Sequence, residues 1–317
     1  MISNIKNQNI VKRVRENIVS TKDDIVIKKS AFYEKLQSKQ KTIAVELDSP
    51  FNTQIQDFMA GAKVLQDAGV DIITIADCPV ARARMDSSLL ACKVKRELGI
   101  DTMPHMTCRD RNNNASKALL LGLNIEDINN VLIITGDPIP TEQRSEVKAV
   151  YEFNSRMLLK HITNLNKTLF DNPFYLYAAL NINATNFHVQ LRLAKEKKKK
   201  GACAFFTQPV LSEKALENLK IAQEELNSPI FGGILPIVSY RNACFINNEI
   251  PGINVCHEII ELYKDKTREE CHALAIKISC EIAKKMEPFI DGYYVITPFK
   301  NVELIKRIVE SIKDIRT

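Results

Sequence analysis

From residue 41 onward, short runs of β-branched and aliphatic residues alternate with longer segments whose apolar positions recur every three or four residues. The short runs cover 42–47, 71–76, 102–107, 130–135, 174–180, 202–207, 230–236 and 292–297, and they read as buried strands. The segments between them carry helical spacing: 53–67, 80–98, 113–123, 152–169, 186–200, 212–226, then 240–246 with 256–263 and 268–286, and finally 301–315. Gly69, Gly99 and Gly201 each follow a predicted helix and precede a strand, the position where a glycine ends a helix. Alternating strand and helix implies parallel strands joined by helical crossovers. Eight such units closing on themselves predict an α/β fold, a (β/α)8 TIM barrel. The doubly wound open sheet is the rival, but no Gly-x-Gly-x-x-Gly follows the first strand.

Residues 1–40 have a different texture. Helical spacing at 5–18 and again at 31–37 is set in a background of Lys, Asn and Gln. The chain therefore divides into an N-terminal helical extension, 1–40, that caps the main domain or tethers it, and a barrel over 41–317. A barrel of about 250 residues folds as one domain, so the 317-residue length is consistent with this division.

Hydrophobic residues are 45% and charged residues 26%, which excludes a disordered chain, a collagen and a coiled-coil rod. No apolar run approaches the ~20 residues of a membrane span, and the polar start of the chain holds no signal-peptide core. A soluble, cytoplasmic protein with no membrane partner is expected. The net charge of +6 owes much to a lysine run at 197–200, which reads as a solvated helix end. With no zinc-finger spacing and no aromatic RNA-binding pattern, no nucleic acid partner is expected. The eight cysteines form no Cys-x-x-Cys pair, so neither a disulfide framework nor a metal site is expected. Cys92, Cys203 and Cys280 read as small buried hydrophobes.

In a barrel the working residues lie at the C-terminal ends of the strands. Glu46 ends the first apolar run, where burial would raise its pKa and suit it to acid catalysis; a carboxylate paired with an arginine is the other reading. Past the second strand, Arg82 and Arg84 cannot share a helical face, so one points to the mouth and the other to solvent. The third strand ends in the densest polar cluster of the chain, with His105, Thr107, Arg109, Asp110, Arg111 and Asn112. The fourth ends Thr135–Gly136–Asp137–Pro138, either a plain turn or a glycine that admits a planar ligand beside a carboxylate. Asn181 and its neighbouring amides suit sugar or phosphate oxygens, and Gln208 offers donor and acceptor to the edge of a heterocycle. Tyr240 reads as a core aromatic or as a ring that packs on a ligand.

Taken together, the ordered motifs VELDSP, IADCPVARARM, HMTCRDRN, ITGDP, GACAFFTQPV and GILPIVSY resemble the methylenetetrahydrofolate reductase family over residues 41–316. The form of the motifs is similar to the reductase half of bifunctional homocysteine methyltransferase/reductase proteins, and residues 32–36 resemble the linker before that half. The resemblance implies a flavin-bearing barrel that reduces 5,10-methylenetetrahydrofolate to 5-methyltetrahydrofolate by a ping-pong relay from NAD(P)H. It makes Glu46 and Asp137 catalytic. It assigns His105, Thr107, Thr135, Gly136, Asp137, Tyr151, Asn181 and Lys197 to the flavin, and Glu46, Asp137, Gln208 and Tyr240 to the folate. There are departures: Thr135 opens the fourth-strand motif that is RGD-like in the family, Ala76 replaces a threonine, and Ile296 replaces a tyrosine of some relatives. Gln190, Leu193 and Glu196 stand where many relatives hold the dinucleotide, so the expected cofactor is FAD with FMN as the alternative. A second reading is a flavin- and folate-binding subunit that takes electrons from a partner protein. Homo-oligomer formation stays open.

Overall fold

A β-branched run that is apolar on both faces needs cover on both sides, and a parallel barrel with an outer ring of helices supplies it. The computed structural model describes residues 29–249, 253, 255–297 and 301–315. The helix expected at 5–18 lies outside the described residues. The strands are β1 (Thr42–Leu47), β2 (Ile72–Ile75), β3 (Asp101–Thr107), β4 (Asn130–Ile134), β5 (Tyr175–Leu180), β6 (Ala202–Pro209), β7 (Ile230–Ile234) and β8 (Gly292–Ile296). Each pairs in parallel with the next, and β8 pairs with β1, so the sheet closes as a (β/α)8 TIM barrel. Around it run α1 (Ala31–Gln37), α2 (Gln56–Asp67), α3 (Ser87–Leu98), α4 (Asn113–Ile125), α5 (Ser155–Leu165), α6 (Phe187–Lys199), α7 (Glu213–Leu226), α8 (Tyr240–Glu249), α9 (His257–Leu262), α10 (Arg268–Met286) and α11 (Val302–Ile315). No helix among the described residues is long and apolar enough to cross a membrane.

The two-residue alternation of the strands sorts their side chains. Ile43, Val45, Ile73, Ile75 and Val131 pack outward beneath the helices. Ala44, Ile72, Met103, Leu132, Tyr177, Phe206, Phe231 and Tyr294 fill the lumen. The lumen is largely aromatic. Phe206 stacks on Phe231 at 4.5 Å, and Tyr177 and Tyr294 meet Phe206 edge-on at 5.7 and 5.0 Å. Between β6 and β7 the register slips after Phe206, and Gly233 accepts the close approach. A Cβ there would stand 2.8 Å from the carbonyl oxygens of Thr207 and Gln208.

Helix α1 closes the N-terminal end of the barrel. Phe32 is fully buried against Tyr177 and Phe231, at 5.9 and 5.5 Å between ring centroids. Ser30 caps the helix, and its hydroxyl and the Phe32 N–H both donate to Asp101 at the foot of β3. Tyr33 stacks on Tyr175 at 3.7 Å, and Lys35 pairs with Asp71 at 2.5 Å. Of the two roles open to the extension, its described part caps the barrel.

α2 begins at Gln56 and not at residue 53, and two further helices begin later than their periodicity predicts for local reasons. α3 starts at Ser87 and not at residue 80, because Asp86 caps it and Cys78, Val80 and Ala81 are left-handed, with φ of 46°, 56° and 54°. α5 starts at Ser155 and not at residue 152, because the Asn154 side chain accepts from the Arg156 and Met157 amides. All eight cysteines are free, but only Cys92 of the three expected in the core is buried there; Cys203 and Cys280 are half-buried.

Candidate active site

The two ladders of β1 place Glu46 opposite Thr74 of β2 and Ile296 of β8. Glu46 lies two residues beyond the lumen-filling Ala44, so the barrel's alternation turns its carboxyl to the interior. The Tyr294 hydroxyl, from β8, donates to Glu46 Oε2. His105 Nε2, from β3, stands 3.5 Å from the same oxygen. Burial raises the Glu46 pKa, and the Tyr294 hydrogen bond pulls it partly back. Burial lowers His105 to about 4, against the opposing pull of Asp77 and Asp48. His105 is therefore neutral near pH 7, and its contact with Glu46 is not an ion pair. The Glu46 carboxyl is partly buried at the mouth, and its neighbours are a phenol and a neutral imidazole, not an arginine.

A ring of charge sits beside this acid. Asp77, at the end of β2, is buried and accepts from the Thr107 N–H at 3.0 Å, the Thr107 hydroxyl at 2.9 Å and Arg111 at 2.8 Å. Arg109 is buried as well. It grips Asp110 and donates to the carbonyl oxygens of Cys78 and Asp137 at 3.1 and 3.3 Å. The Asp137 carboxylate takes the Val80 N–H at 2.8 Å. Arg84 is the inward member of its pair: it donates to the Ser49 carbonyl at 2.9 Å and lies 3.8 Å over the Phe51 ring, while Arg82 is exposed.

The remaining expected residues divide by what their polar atoms do. Thr107 is spent on Asp77, and the exposed Thr135 hydroxyl meets Ser155 at the start of α5, at 3.2 Å. Gly136 has φ 89°, and a Cβ there would press on Thr107 at 3.0 Å. Tyr151 donates to the carbonyl oxygen of Asp137 at 3.0 Å. It lines an open groove of about 330 Å³ together with Pro138, Ile139, Arg144, Val147 and Lys148. The side chain of Asn181 accepts from the Asn183 N–H at 3.0 Å. Lys197 donates to the Ala179 carbonyl at 2.6 Å, and burial, helped by Arg156, lowers its pKa to about 8. Glu196 beside it pairs with Arg156 at 2.7 Å. Gln208 follows Phe206 by two residues on β6, half-buried and without a side-chain hydrogen bond among the described residues. Tyr240 is 39% exposed at the start of α8, which corrects the core reading of that residue.

Tyr294 is the contact that the chain pattern hides. In a strand of five apolar residues, Tyr293 and Tyr294 look alike, and only the closure of β8 onto β1 shows which one reaches Glu46. Arg109, Arg111 and Asp77 stand inside quoted motifs, but the pairing of Arg111 with Asp77 joins two separate loops.

The residues fit a flavin at this rim. His105 Nε2 and Asn183 Oδ1 are buried polar atoms without a hydrogen-bond partner, and Lys197 supplies positive charge below its pKa of about 8. Among the described residues no group of three or more His, Cys, Asp and Glu could hold a metal ion.

Similarity to known proteins agrees with the barrel and extends beyond it. The chain resembles an uncharacterized protein from Clostridium thermocellum that binds two copies of 5-methyl-5,6,7,8-tetrahydrofolic acid, at 13% identity and a TM-score of 0.65, over 90% of this chain and 99% of that one. It also resembles tryptophan synthase from Mycobacterium tuberculosis, at 11% identity and a TM-score of 0.52, over 92% of this chain and 100% of that one. At such identities the likeness is one of fold. The model of the family described as methylenetetrahydrofolate reductase matches residues 31–313, from the first residue of α1 to the last turn of α11. With nearly the whole described chain inside that match, the protein belongs to the methylenetetrahydrofolate reductase family.

Proposed function

We propose that this chain reduces 5,10-methylenetetrahydrofolate to 5-methyltetrahydrofolate with NAD(P)H as electron donor. The observation that carries the reading is Glu46: a carboxyl at the barrel rim whose side chain is only 16% exposed, raised in pKa, and contacted by a phenol and a neutral imidazole. Family membership supports the folate substrate, as does the folate bound by a barrel of the same fold.

A flavin held near His105, Asn181 and Lys197 would supply the two-electron chemistry between nicotinamide and folate. The protein's own part is proton transfer and charge placement. Glu46, whose burial favours the protonated form, gives its proton to the bridging nitrogen of the folate. The carbon–nitrogen bond breaks with its electron pair going to that nitrogen, and an iminium cation is left at the one-carbon unit. Asp137, at the same rim, faces this developing positive charge with its carboxylate. Hydride addition at the iminium carbon then completes the methyl group. The Gln208 amide is available to the pterin edge, and the exposed Tyr240 ring to its face.

The test uses the purified chain loaded with FAD or FMN. Anaerobic addition of NADH or NADPH should bleach the flavin, and 5,10-methylenetetrahydrofolate should restore its colour with formation of 5-methyltetrahydrofolate. Glu46→Gln should still bleach but lose folate reduction by at least a hundredfold. Folate reduction at the wild-type rate in that variant would remove Glu46 from the mechanism. Bleaching by neither nicotinamide would overturn NAD(P)H as the donor and favour electron delivery by a partner protein.

A further inference from the structure

We infer that Tyr294 is a positioning residue for Glu46: its hydroxyl claims Oε2 and so reserves Oε1 as the oxygen that carries the acid proton. The inference rests on the reading of Glu46 as the acid.

Two neighbours from either side of β1 converge on one carboxyl oxygen. Tyr294 donates to Oε2 from β8, and His105 Nε2 lies 3.5 Å from Oε2 from β3. A carboxylic acid carries its proton on one oxygen and accepts on the other. An O–H aimed at Oε2 disfavours a proton there, because the carbonyl oxygen of a carboxylic acid is a better acceptor than its hydroxyl oxygen. The phenol is a dependable donor, since burial and the nearby Glu46 hold its pKa well above the ordinary value. Its aim is fixed by packing. The Tyr294 ring is buried, stands edge-on to Phe206 at 5.0 Å, and sits on a strand whose register with β1 is set at Ala44.

The same hydrogen bond matters after the proton has left. Around the Glu46 anion stand His105 from β3, which is neutral; Tyr294 from β8; and uncharged Thr74, opposite on β2. The charge of two aspartates reaches these neighbours: Asp48, just past β1, bears on His105 and Tyr294, and Asp77, at the end of β2, bears on His105 and is paired with Arg111. Burial penalises the anion. Tyr294 is the donor that stabilises it, so it sets how strong an acid the buried carboxyl can be.

Tyr294→Phe removes the hydroxyl and keeps the ring. Infrared difference spectroscopy on the flavin-loaded protein reads Glu46 directly, through a carboxylic C=O band identified by its absence in Glu46→Gln. In Tyr294→Phe the midpoint of that band should move up by about one pH unit. The basic limb of folate reduction should move with it, while flavin bleaching by NAD(P)H stays unchanged. Phe32→Leu, which alters the lumen packing against Tyr177 and Phe231 and not against Tyr294, should leave the midpoint in place. An unmoved midpoint in Tyr294→Phe, or an equal shift in Phe32→Leu, would overturn the inference. A shifted midpoint together with unimpaired folate reduction in Glu46→Gln would uphold the Tyr294–Glu46 coupling and reject the acid role.

Discussion

Arg109 donates from Nη1 to the main-chain oxygen of Asp137 at 3.3 Å, so the turn that presents the Asp137 carboxylate hangs from an arginine beyond the neighbouring strand. The other end of that guanidinium holds the Cys78 carbonyl at 3.1 Å and the Asp110 carboxylate at 2.7 Å. One planar fork thus ties together the loops after β2, β3 and β4. It also steadies the left-handed segment whose Val80 N–H meets Asp137.

A lysine cannot reproduce that fork, because its ammonium is a single point charge on a flexible stem. Arg109→Lys should therefore lower stability by about 2–3 kcal/mol, the scale of losing hydrogen bonds from a buried charged group. Denaturant midpoints measure this. Folate reduction should fall as well, since the Asp137 turn loses its tie, while flavin bleaching by nicotinamide persists. A variant as stable and as active as the wild type would show that the three loops hold themselves.

The acid and the imidazole make opposite predictions for stability against pH. Glu46 is raised from 4.5, so the native state binds its proton more tightly than the unfolded chain does. Its contribution is present below pH 4.5 and is lost as pH rises through the raised value. His105 is lowered from 6.5 to about 4, so the native state resists a proton that the unfolded chain accepts. Stability is therefore lost as pH falls from 6.5 to about 4, by about 3 kcal/mol in all. Unfolding free energies measured across this range should show the acid arm flattened in His105→Gln and the alkaline arm flattened in Glu46→Gln. Arms that survive unchanged would assign the titrations to other groups.

Phe32 fills the foot of the lumen from a helix that precedes the first strand. Phe32→Ala should cost about 3–5 kcal/mol, the range for deleting a large buried aromatic, and a chain beginning at residue 41 should lose at least as much. Urea denaturation followed by far-ultraviolet circular dichroism would show it. Equal midpoints for Phe32→Ala and wild type would mean that the barrel closes without its plug.

Most of the barrel is written in local pattern. The runs at 42–47 and 130–135 become β1 and β4 nearly unchanged, and 268–286 becomes α10 to the residue. Two-sided burial makes parallel strands almost wholly apolar, and that is visible without coordinates. Where periodicity misjudges the starts of α3 and α5, a short-range device has intervened: the Asp86 and Asn154 caps, and the left-handed residues at Cys78, Val80 and Ala81.

The candidate site was legible as residue types at strand ends, because a parallel barrel sends all those ends to one rim. Glu46, His105, Asp137 and Gln208 follow from that rule and from the family motifs. What they touch does not. A strand's side-chain period says that Tyr294 and Glu46 face the same lumen, but not that they sit at the same height, which depends on how β8 registers against β1. Nor could spacing show that Thr107 is committed to Asp77, or that Tyr240 stands in solvent. Fold class rests on local periodicity summed along the chain. The pairing, protonation and exposure of the site depend on distances between residues up to 248 positions apart, and only the closed barrel sets them.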